Sequence, residues 1–194
     1  MNRDRDPEDR ETVRRVLRGD RNAFRILVER YQPAVSALGR RILRGPREDL
    51  NDYVQEVFLK AFSSLSQYSG KGRFYSWLMR ISYTTALNRA SRRAPEESSD
   101  PQIVGSKWPA PAEANPENLA LRRNLLESIV EAIRELPEAS ALALELFFVM
   151  KLTYAEIAAI TGVPVNTLKS RVCRARQLLQ KRLGERLLEE CHDL

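Results

Sequence analysis

The chain has 194 residues and a mass of 22.3 kDa, which is enough for one or two small domains and too little for a large multidomain machine. Hydrophobic residues make up 43% and charged residues 30% of it, which excludes wholesale disorder, and no apolar run approaches the roughly 20 residues of a transmembrane helix. The net charge of +6 is concentrated in residues 1–94, where 20 Lys and Arg stand against 11 Asp and Glu, so a polyanionic partner is favoured.

The composition gives little support to cofactor or metal chemistry. Two cysteines, Cys173 and Cys191, are too few for a disulfide framework or a four-thiolate zinc site, and the single histidine is His192. We therefore expect no cofactor, no metal and no catalytic residue. The charged N-terminus lacks the apolar region of a secretory signal, so we expect a cytoplasmic protein without membrane insertion.

Apolar residues at helical spacing predict an all-α N-terminal domain over residues 1–94. A charged first helix should end at Gly19, and Asp20 is a suitable N-cap for a second helix whose apolar face continues to Tyr31. A separate third helix is expected to begin at Pro33. The predicted helices cover residues 11–18, 20–31, 33–44, 48–65 and 74–93.

The helix predicted over residues 48–65 has an unusual outer face. An exposed leucine should lie there beside two carboxylates and an amide, opposite the apolar side of the helix. This combination is typical of a docking surface for a basic protein, and an ordinary solvated helix face is the alternative. The predicted docking residues are Asp52, Gln55, Glu56 and Leu59.

No acidic residue occurs between Glu56 and Glu96, an interval that holds seven basic residues and half of all aromatic residues. Aromatic rings among cations suit single-stranded nucleic acid, because unpaired bases stack on the rings and cations follow the backbone. Core packing is the alternative for each ring, and we expect it for Phe58, Phe62 and some of Phe74, Trp77 and Leu78. At least two rings of this stretch are expected to contact bases.

Five of the ten prolines fall within residues 95–117, together with five acidic residues and one lysine. This composition has no periodic apolar face, and it predicts a flexible linker over residues 95–116. Residues 117–194 should then form a second small helical domain.

The C-terminal domain contains a helix-turn-helix pattern. Thr153 and Glu156 form a capping box, Gly162 ends the first helix, and a longer helix is predicted over residues 165–183. One side of this helix is apolar, whereas the other is polar and basic, which suits base edges and phosphates. A structural helical hairpin with a solvated basic face is the alternative. The predicted DNA contacts are Asn166, Thr167, Lys169, Ser170, Arg171, Arg174 and Arg176, opposite the apolar Leu168, Val172, Ala175 and Leu179.

Taken in order, several segments resemble the extracytoplasmic-function group of the sigma-70 family, the short sigma factors of bacterial RNA polymerase. Residues 52–62 (DYVQEVFLKAF) resemble the helix that docks on polymerase, and residues 74–81 (FYSWLMRI) resemble the segment that melts the promoter. Residues 154–158 (YAEIA) and 167–176 resemble the C-terminal promoter reader. The resemblance covers roughly residues 10–185 in the expected order.

The resemblance implies a factor that binds core RNA polymerase, directs it to promoters and opens the DNA, usually under the control of an anti-sigma protein. Asp52, Gln55 and Glu56 would contact the clamp of the largest polymerase subunit. The helix from Asn166 to Arg176 would enter the major groove of duplex DNA at the minus-thirty-five element. The residues implied at the single-stranded minus-ten element, including a flipped base, are Lys71, Arg73, Phe74, Tyr75, Trp77, Arg80, Tyr83, Thr84, Asn88 and Arg92.

The chain departs from the family pattern in ways that bear on promoter choice. Thr84 stands where the family often has Asn, which leaves the base preference at the minus-ten element open. Asn166 replaces the usual small Gly before Thr167. The linker is long for the group, and no role follows for Trp108 within it.

Two other classes of function stay open at this point. A free-standing helix-turn-helix regulator would bind DNA through its C-terminal domain and use the first domain as a dimeriser or sensor. A nuclease or recombinase would need a magnesium site, for which Asp49, Asp52 and Glu56 are candidates, but no second acidic cluster faces them.

Overall fold

The computed structural model describes residues 6–43, 47–93, 132–133 and 135–190, and every regular element in these ranges is a helix. The all-α fold with two helical domains is confirmed, whereas the predicted linker over residues 95–116 lies outside the described residues. No helix in the described part is both long and apolar enough to cross a bilayer. The α-helices are α1 (Asp6–Leu17), α2 (Phe24–Leu43), α3 (Arg47–Ser63), α4 (Phe74–Arg93), α5 (Glu138–Leu144), α6 (Tyr154–Thr161) and α7 (Val165–Glu190), with 3-10 turns at Arg21–Ala23 and Leu65–Gln67 and a π-helical turn at Glu145–Val149.

Helix α2 continues through Pro33, which corrects the prediction of two separate helices. Proline removes one helical hydrogen bond and crowds the preceding turn, so it usually ends a helix. Here Tyr31, Val35 and Leu38 continue one buried face at helical spacing on both sides of the proline. The packing of this face outweighs the local preference of Pro33.

The connection between α1 and α2 is tight. Gly19 has a φ of 107°, a left-handed conformation that other residues rarely adopt. The Asp20 carboxylate accepts hydrogen bonds from the Arg15 guanidinium at 2.7 Å and the Ala23 amide at 3.2 Å, and these hold the pKa of Asp20 below its usual value. The predicted N-cap is therefore confirmed, although it caps the 3-10 turn that precedes α2.

A buried carboxylate attaches α1 to α2. Asp9 accepts hydrogen bonds from the Tyr31 hydroxyl and the Arg30 guanidinium. Burial raises the pKa of Asp9 and of Tyr31, because a low-dielectric environment disfavours the charged form of each. Removing either partner would leave the other buried and uncompensated, so this cluster fixes the position of α1.

The core of the N-terminal domain depends on a close crossing of α2 and α3. Tyr53 of α3 is fully buried, and its hydroxyl donates to the Ser82 carbonyl at 3.0 Å and lies 2.5 Å from the Ser82 hydroxyl on α4. Burial raises the pKa of Tyr53 to about 12. The ring passes so close to Gly39 of α2 that a Cβ there would lie 2.4 Å from the nearest ring carbon. Gly39 is therefore required by the approach of α2 to α3.

Helices α5 and α7 share a smaller core in the C-terminal part of the chain. Leu136, Ala141 and Leu144 are buried around Ala175 of α7, and Leu179 packs against this cluster. The residues from α7 are two of those predicted to form its apolar face. The core thus fixes which side of α7 remains available to solvent.

Candidate nucleic-acid interface

Helices α3 and α4 border a surface groove in the N-terminal domain. It brings together two sets of residues that the sequence analysis assigned to different partners: Glu56 and Leu59 from the docking set, and Thr84 and Asn88 from the single-strand set. The groove was not predicted, because its two walls are separated by the turn between the helices. Its lining residues are Glu56, Leu59, Lys60, Ser63, Ser64, Gln67, Ile81, Thr84, Thr85 and Asn88.

Glu56 is held by cations from both walls of the groove. Its carboxylate pairs with Lys60 at 2.6 Å, one turn along α3, and accepts a hydrogen bond from Arg89 of α4 at 2.5 Å. Arg89 also donates to the Asp49 carbonyl at 3.3 Å. These partners, Lys60 first, hold the pKa of Glu56 below its usual value. Glu56 therefore links α3 to α4 in addition to facing solvent.

The rest of the predicted docking face is open to solvent. Asp52 and Gln55 are exposed, and Leu59 exposes 60% of its surface. An exposed leucine of this extent beside a carboxylate and an amide is the arrangement that the sequence analysis proposed for a protein contact.

The structure corrects two of the predicted DNA-contacting residues. Phe74 and Tyr75 are 0% and 2% exposed, so neither ring is available to a base. Tyr75 packs on Tyr31 with ring centroids 5.3 Å apart, and Phe74 packs on Tyr68 and Trp77 at 5.7 and 5.5 Å. Both rings lie on the side of α4 that faces α2, where they stabilise the core by burial.

Two aromatic rings of α4 that were predicted to contact bases are partly exposed. These are Trp77 and Tyr83. Core packing is confirmed for Phe58, whereas Phe62 was wrongly expected to be buried: it is 37% exposed and contacts Phe24 by an edge, with centroids 5.0 Å apart. The aromatic content of this stretch therefore serves mainly the core.

The polar and basic side chains predicted beside these rings remain at the surface. Arg73 is half-buried, with its guanidinium carbon 5.9 Å from the centre of the Tyr75 ring. Thr84 is exposed on α4, and its hydroxyl donates to the Arg80 carbonyl at 3.0 Å. The exposed members of the set are Lys71, Arg80, Thr84, Asn88 and Arg92.

The helix-turn-helix elements follow the predicted local geometry. The Thr153 amide donates to the Glu156 carboxylate at 2.8 Å, and the Glu156 amide donates back to the Thr153 hydroxyl at 3.2 Å. Gly162, with a φ of 73°, ends α6, and α7 begins at Val165. This left-handed backbone conformation is the one commonly found at the residue that ends a helix, as predicted for Gly162.

Helix α7 presents its predicted polar face to solvent. Arg171 is half-exposed, and the Ser170 hydroxyl donates to the Asn166 carbonyl at 3.0 Å. On the other side, Leu168, Val172 and Ala175 are buried. The exposed members of the predicted set are Asn166, Thr167, Lys169, Ser170, Arg174 and Arg176.

Replacing Thr153 with alanine should lower the stability of the C-terminal domain by about 1 kcal/mol, because a helix N-terminus then loses its capping hydroxyl. Chemical denaturation followed by circular dichroism measures the change. Thr153→Ser keeps the hydroxyl and should retain most of the stability. Equal losses in the two variants would show that the capping bond contributes little.

The magnesium site considered for a nuclease has no support in the described residues. Among them, no group of three or more His, Cys, Asp or Glu side chains is placed to hold a metal ion. Cys173 is exposed on α7, whereas Cys191 and His192 lie outside the described residues.

Comparison with known proteins identifies both parts of the chain. The family model for sigma-70 region 2 matches residues 27–96, and the model for sigma-70 region 4 matches residues 126–179. The ECF RNA polymerase sigma-E factor of Escherichia coli K12 is 38% identical over 181 residues, which cover 90% of this chain and 94% of that protein. The sigma-E factor of Haemophilus influenzae is 36% identical, with 90% and 95% covered.

Two solved structures share the fold. CnrH, in complex with the cytosolic domain of CnrY, superposes with a TM-score of 0.61 at 23% identity and covers 91% of this chain and 97% of that one. RpoE of Bartonella quintana, in complex with the anti-sigma factor NepR, has a TM-score of 0.63 at 22% identity, with 83% and 96% covered.

Proposed function

This chain belongs to the extracytoplasmic-function group of the sigma-70 family, and we propose on that premise that it binds core RNA polymerase, directs it to specific promoters and helps to open the DNA there. The observation that carries the proposal is the position of Leu59, which is 60% exposed and borders the groove that also contains Thr84 and Asn88. One small domain thereby offers a protein-docking surface next to polar groups suited to unpaired bases.

The docking face would contact the clamp of the largest polymerase subunit. Asp52 and Gln55 offer a carboxylate and an amide to a basic surface, and Leu59 offers apolar area at the centre of the contact. Protein interfaces usually have an apolar centre surrounded by a polar rim, and a few residues at the centre contribute most of the binding energy. Glu56 would contribute less directly, because its carboxylate is already paired within the domain.

The groove between α3 and α4 would receive a flipped base of the minus-ten element. Thr84 and Asn88 offer hydroxyl and amide groups to base edges, and Lys60 offers a cation to the backbone. Trp77 and Tyr83 are the partly exposed rings available for stacking nearby on α4. The exposed Lys71, Arg80 and Arg92 would follow the phosphates of the separated strand, with Arg73 beside them.

Helix α7 would read the minus-thirty-five element as duplex DNA. Its first turns carry Asn166, Ser170 and Arg174 in one exposed row at helical spacing. In a helix-turn-helix protein the N-terminal residues of the second helix contact base edges in the major groove. The neighbouring Thr167, Lys169, Arg171 and Arg176 would hold phosphates on either side.

We further propose that an anti-sigma protein restrains this chain. RpoE of Bartonella quintana, which shares the fold, was solved with the anti-sigma factor NepR. Here the exposed Leu59 and the basic face of α7 are surfaces that such a partner would have to cover.

We also propose that the chain has no catalytic activity of its own and acts with the polymerase in the cytoplasm. Residues 95–116 would form the linker between the domains of residues 1–94 and 117–194.

The proposal is tested by adding the purified chain to core RNA polymerase and a library of genomic fragments and measuring run-off transcription. Promoter-dependent transcripts are expected only when the chain is present. Absence of such transcripts across the library would reject the proposal, and tight binding of the chain to palindromic duplexes without polymerase would favour the free-standing regulator instead.

A paired substitution tests the docking surface. Leu59→Lys should weaken binding to core polymerase by roughly tenfold or more, because it removes an apolar anchor and adds a charge that repels a basic partner. Leu17→Lys is the matched control, since Leu17 of α1 is also an exposed leucine, at 52%. Similar binding by the two variants would argue against the α3 face as the polymerase contact.

A further inference from the structure

We propose that Glu56 is an internal competitor for single-stranded DNA. Its carboxylate pairs with Lys60, which lines the groove between α3 and α4, and with Arg89, which follows the groove-lining Asn88, and it thereby limits how strongly the groove binds a DNA backbone. The inference rests on the proposed function, because it takes single-stranded DNA as the occupant of the groove. It adds Arg89, which the sequence analysis did not assign to a site, to the residues that hold the strand.

Arg89 lies where it can pair with Glu56 and where it can also contact a DNA strand in the groove. It follows Asn88, which lines the groove, and its side chain is 25% exposed. Its Nε donates to Glu56 at 2.5 Å and its Nη1 donates to the Asp49 carbonyl at 3.3 Å. Two of its five N–H donors are therefore engaged along α3, and the paired carboxylate offsets the positive charge that a phosphate would otherwise meet.

The charge distribution indicates that Glu56 determines how much positive charge the groove offers to DNA. Glu56 is the only acidic side chain among those that line the groove. Its carboxylate also pairs with Lys60, whose amino group lies 3.4 Å from the Thr85 hydroxyl inside the groove. One carboxylate thus offsets two cations that would otherwise face a polyanion.

The pairs are of a kind that phosphate can displace. Lys60 is 47% and Glu56 31% exposed, so water and salt screen their attraction. A phosphate accepts the same charge-assisted hydrogen bonds from Arg and Lys as a carboxylate does. A phosphate of the strand and the carboxylate of Glu56 therefore compete for the charge of the same two cations.

The test compares full-length variants in binding to a fluorescein-labelled 20-nucleotide thymidylate strand, by anisotropy across a salt series. Glu56→Gln should bind more tightly than wild type, and the slope of log K against log salt should steepen by about 1.4, which corresponds to two further phosphate contacts on single-stranded DNA. Glu29→Gln is the matched control, because it also removes a carboxylate and frees Arg25, paired with Glu29 at 2.6 Å on the exposed side of α2. Equal effects of the two substitutions would reduce the result to net charge and overturn the proposal.

A second comparison begins with variants that retain Glu56, so its first part does not depend on the folding of Glu56→Gln. If Arg89 is withheld in wild type, Arg89→Ala should change the affinity and the salt slope little, whereas Arg80→Ala, which removes an exposed arginine of α4, should weaken binding and flatten the slope by about 0.7. In the Glu56→Gln background, Arg89→Ala should reverse about half of the steepening of the salt slope that Glu56→Gln causes. Losses from Arg89→Ala as large as those from Arg80→Ala would overturn the proposal, as would failure of both wild type and Glu56→Gln to bind the strand. Promoter-dependent transcription by the same preparation of the wild-type chain would show that the proposed function holds even if this inference about Glu56 fails.

Discussion

Replacing Gly39 with alanine is expected to destabilise the N-terminal domain by about 2 kcal/mol, the difference between an overpacking cost near 3 and a helix-propensity gain near 1. The added Cβ would lie 2.4 and 2.6 Å from two carbons of the Tyr53 ring and 2.8 Å from a methyl of Leu50. The ring cannot easily withdraw, because Tyr53 is fully buried and its hydroxyl is fixed on Ser82 of α4. The substitution should therefore separate α2 from α3 and disturb the contact with α4 as well.

The control for Gly39→Ala is the same substitution at a helical glycine with open space beside it. A Cβ at Gly184 of α7 would meet no atom within 4 Å. Gly184→Ala should therefore leave stability unchanged or raise it by up to about 1 kcal/mol, as helix propensity alone dictates. Urea denaturation followed by circular dichroism gives both values. A neutral or stabilising Gly39→Ala would mean that α2 and α3 can move apart at little cost.

Arg174→Ala is expected to reduce binding at the minus-thirty-five element by roughly 5- to 150-fold, the effect of losing one good bidentate base contact of about 1–3 kcal/mol. Arg174 is exposed in the row that contains Asn166 and Ser170, so it is free to reach a base edge. The loss should depend on sequence: strong on the preferred element, and small on duplexes in which the contacted base pair is changed. Polymerase-dependent binding to a panel of single base-pair variants measures this.

The control for Arg174→Ala is Lys181→Ala. Lys181 is an exposed cation on the same helix, about 10 Å further along its axis at 1.5 Å per residue. Its removal should weaken binding slightly and uniformly across the panel, as loss of a distant positive charge does. Uniform loss in Arg174→Ala would show that this arginine holds phosphate and that base readout lies elsewhere on α7.

Features that depend on neighbouring residues could be predicted from the sequence. The observed bounds of α4, Phe74–Arg93, are those expected, and the capping box of Thr153 and Glu156 forms as the pattern indicated. In each case the determining interactions span only a few residues. The buried side of α7 was also predictable, since the apolar positions of Leu168 and Val172 recur at helical spacing.

Features that depend on packing between helices could not be predicted. The continuity of α2 through Pro33 is decided by contacts of its buried face. The burial of Phe74 and Tyr75 depends on which side of α4 faces α2, and aromatic content alone does not reveal the side. The pair of Glu56 and Arg89 joins residues 33 positions apart, so no local pattern could indicate it.

The arrangement of α3 has a consequence for inhibition. This one helix of 17 residues, about 25 Å long, carries Leu59 on its outer face and Glu56 and Lys60 along the edge of the groove. A single antagonist segment laid along α3 would therefore cover both the proposed polymerase contact and the proposed groove for the separated strand.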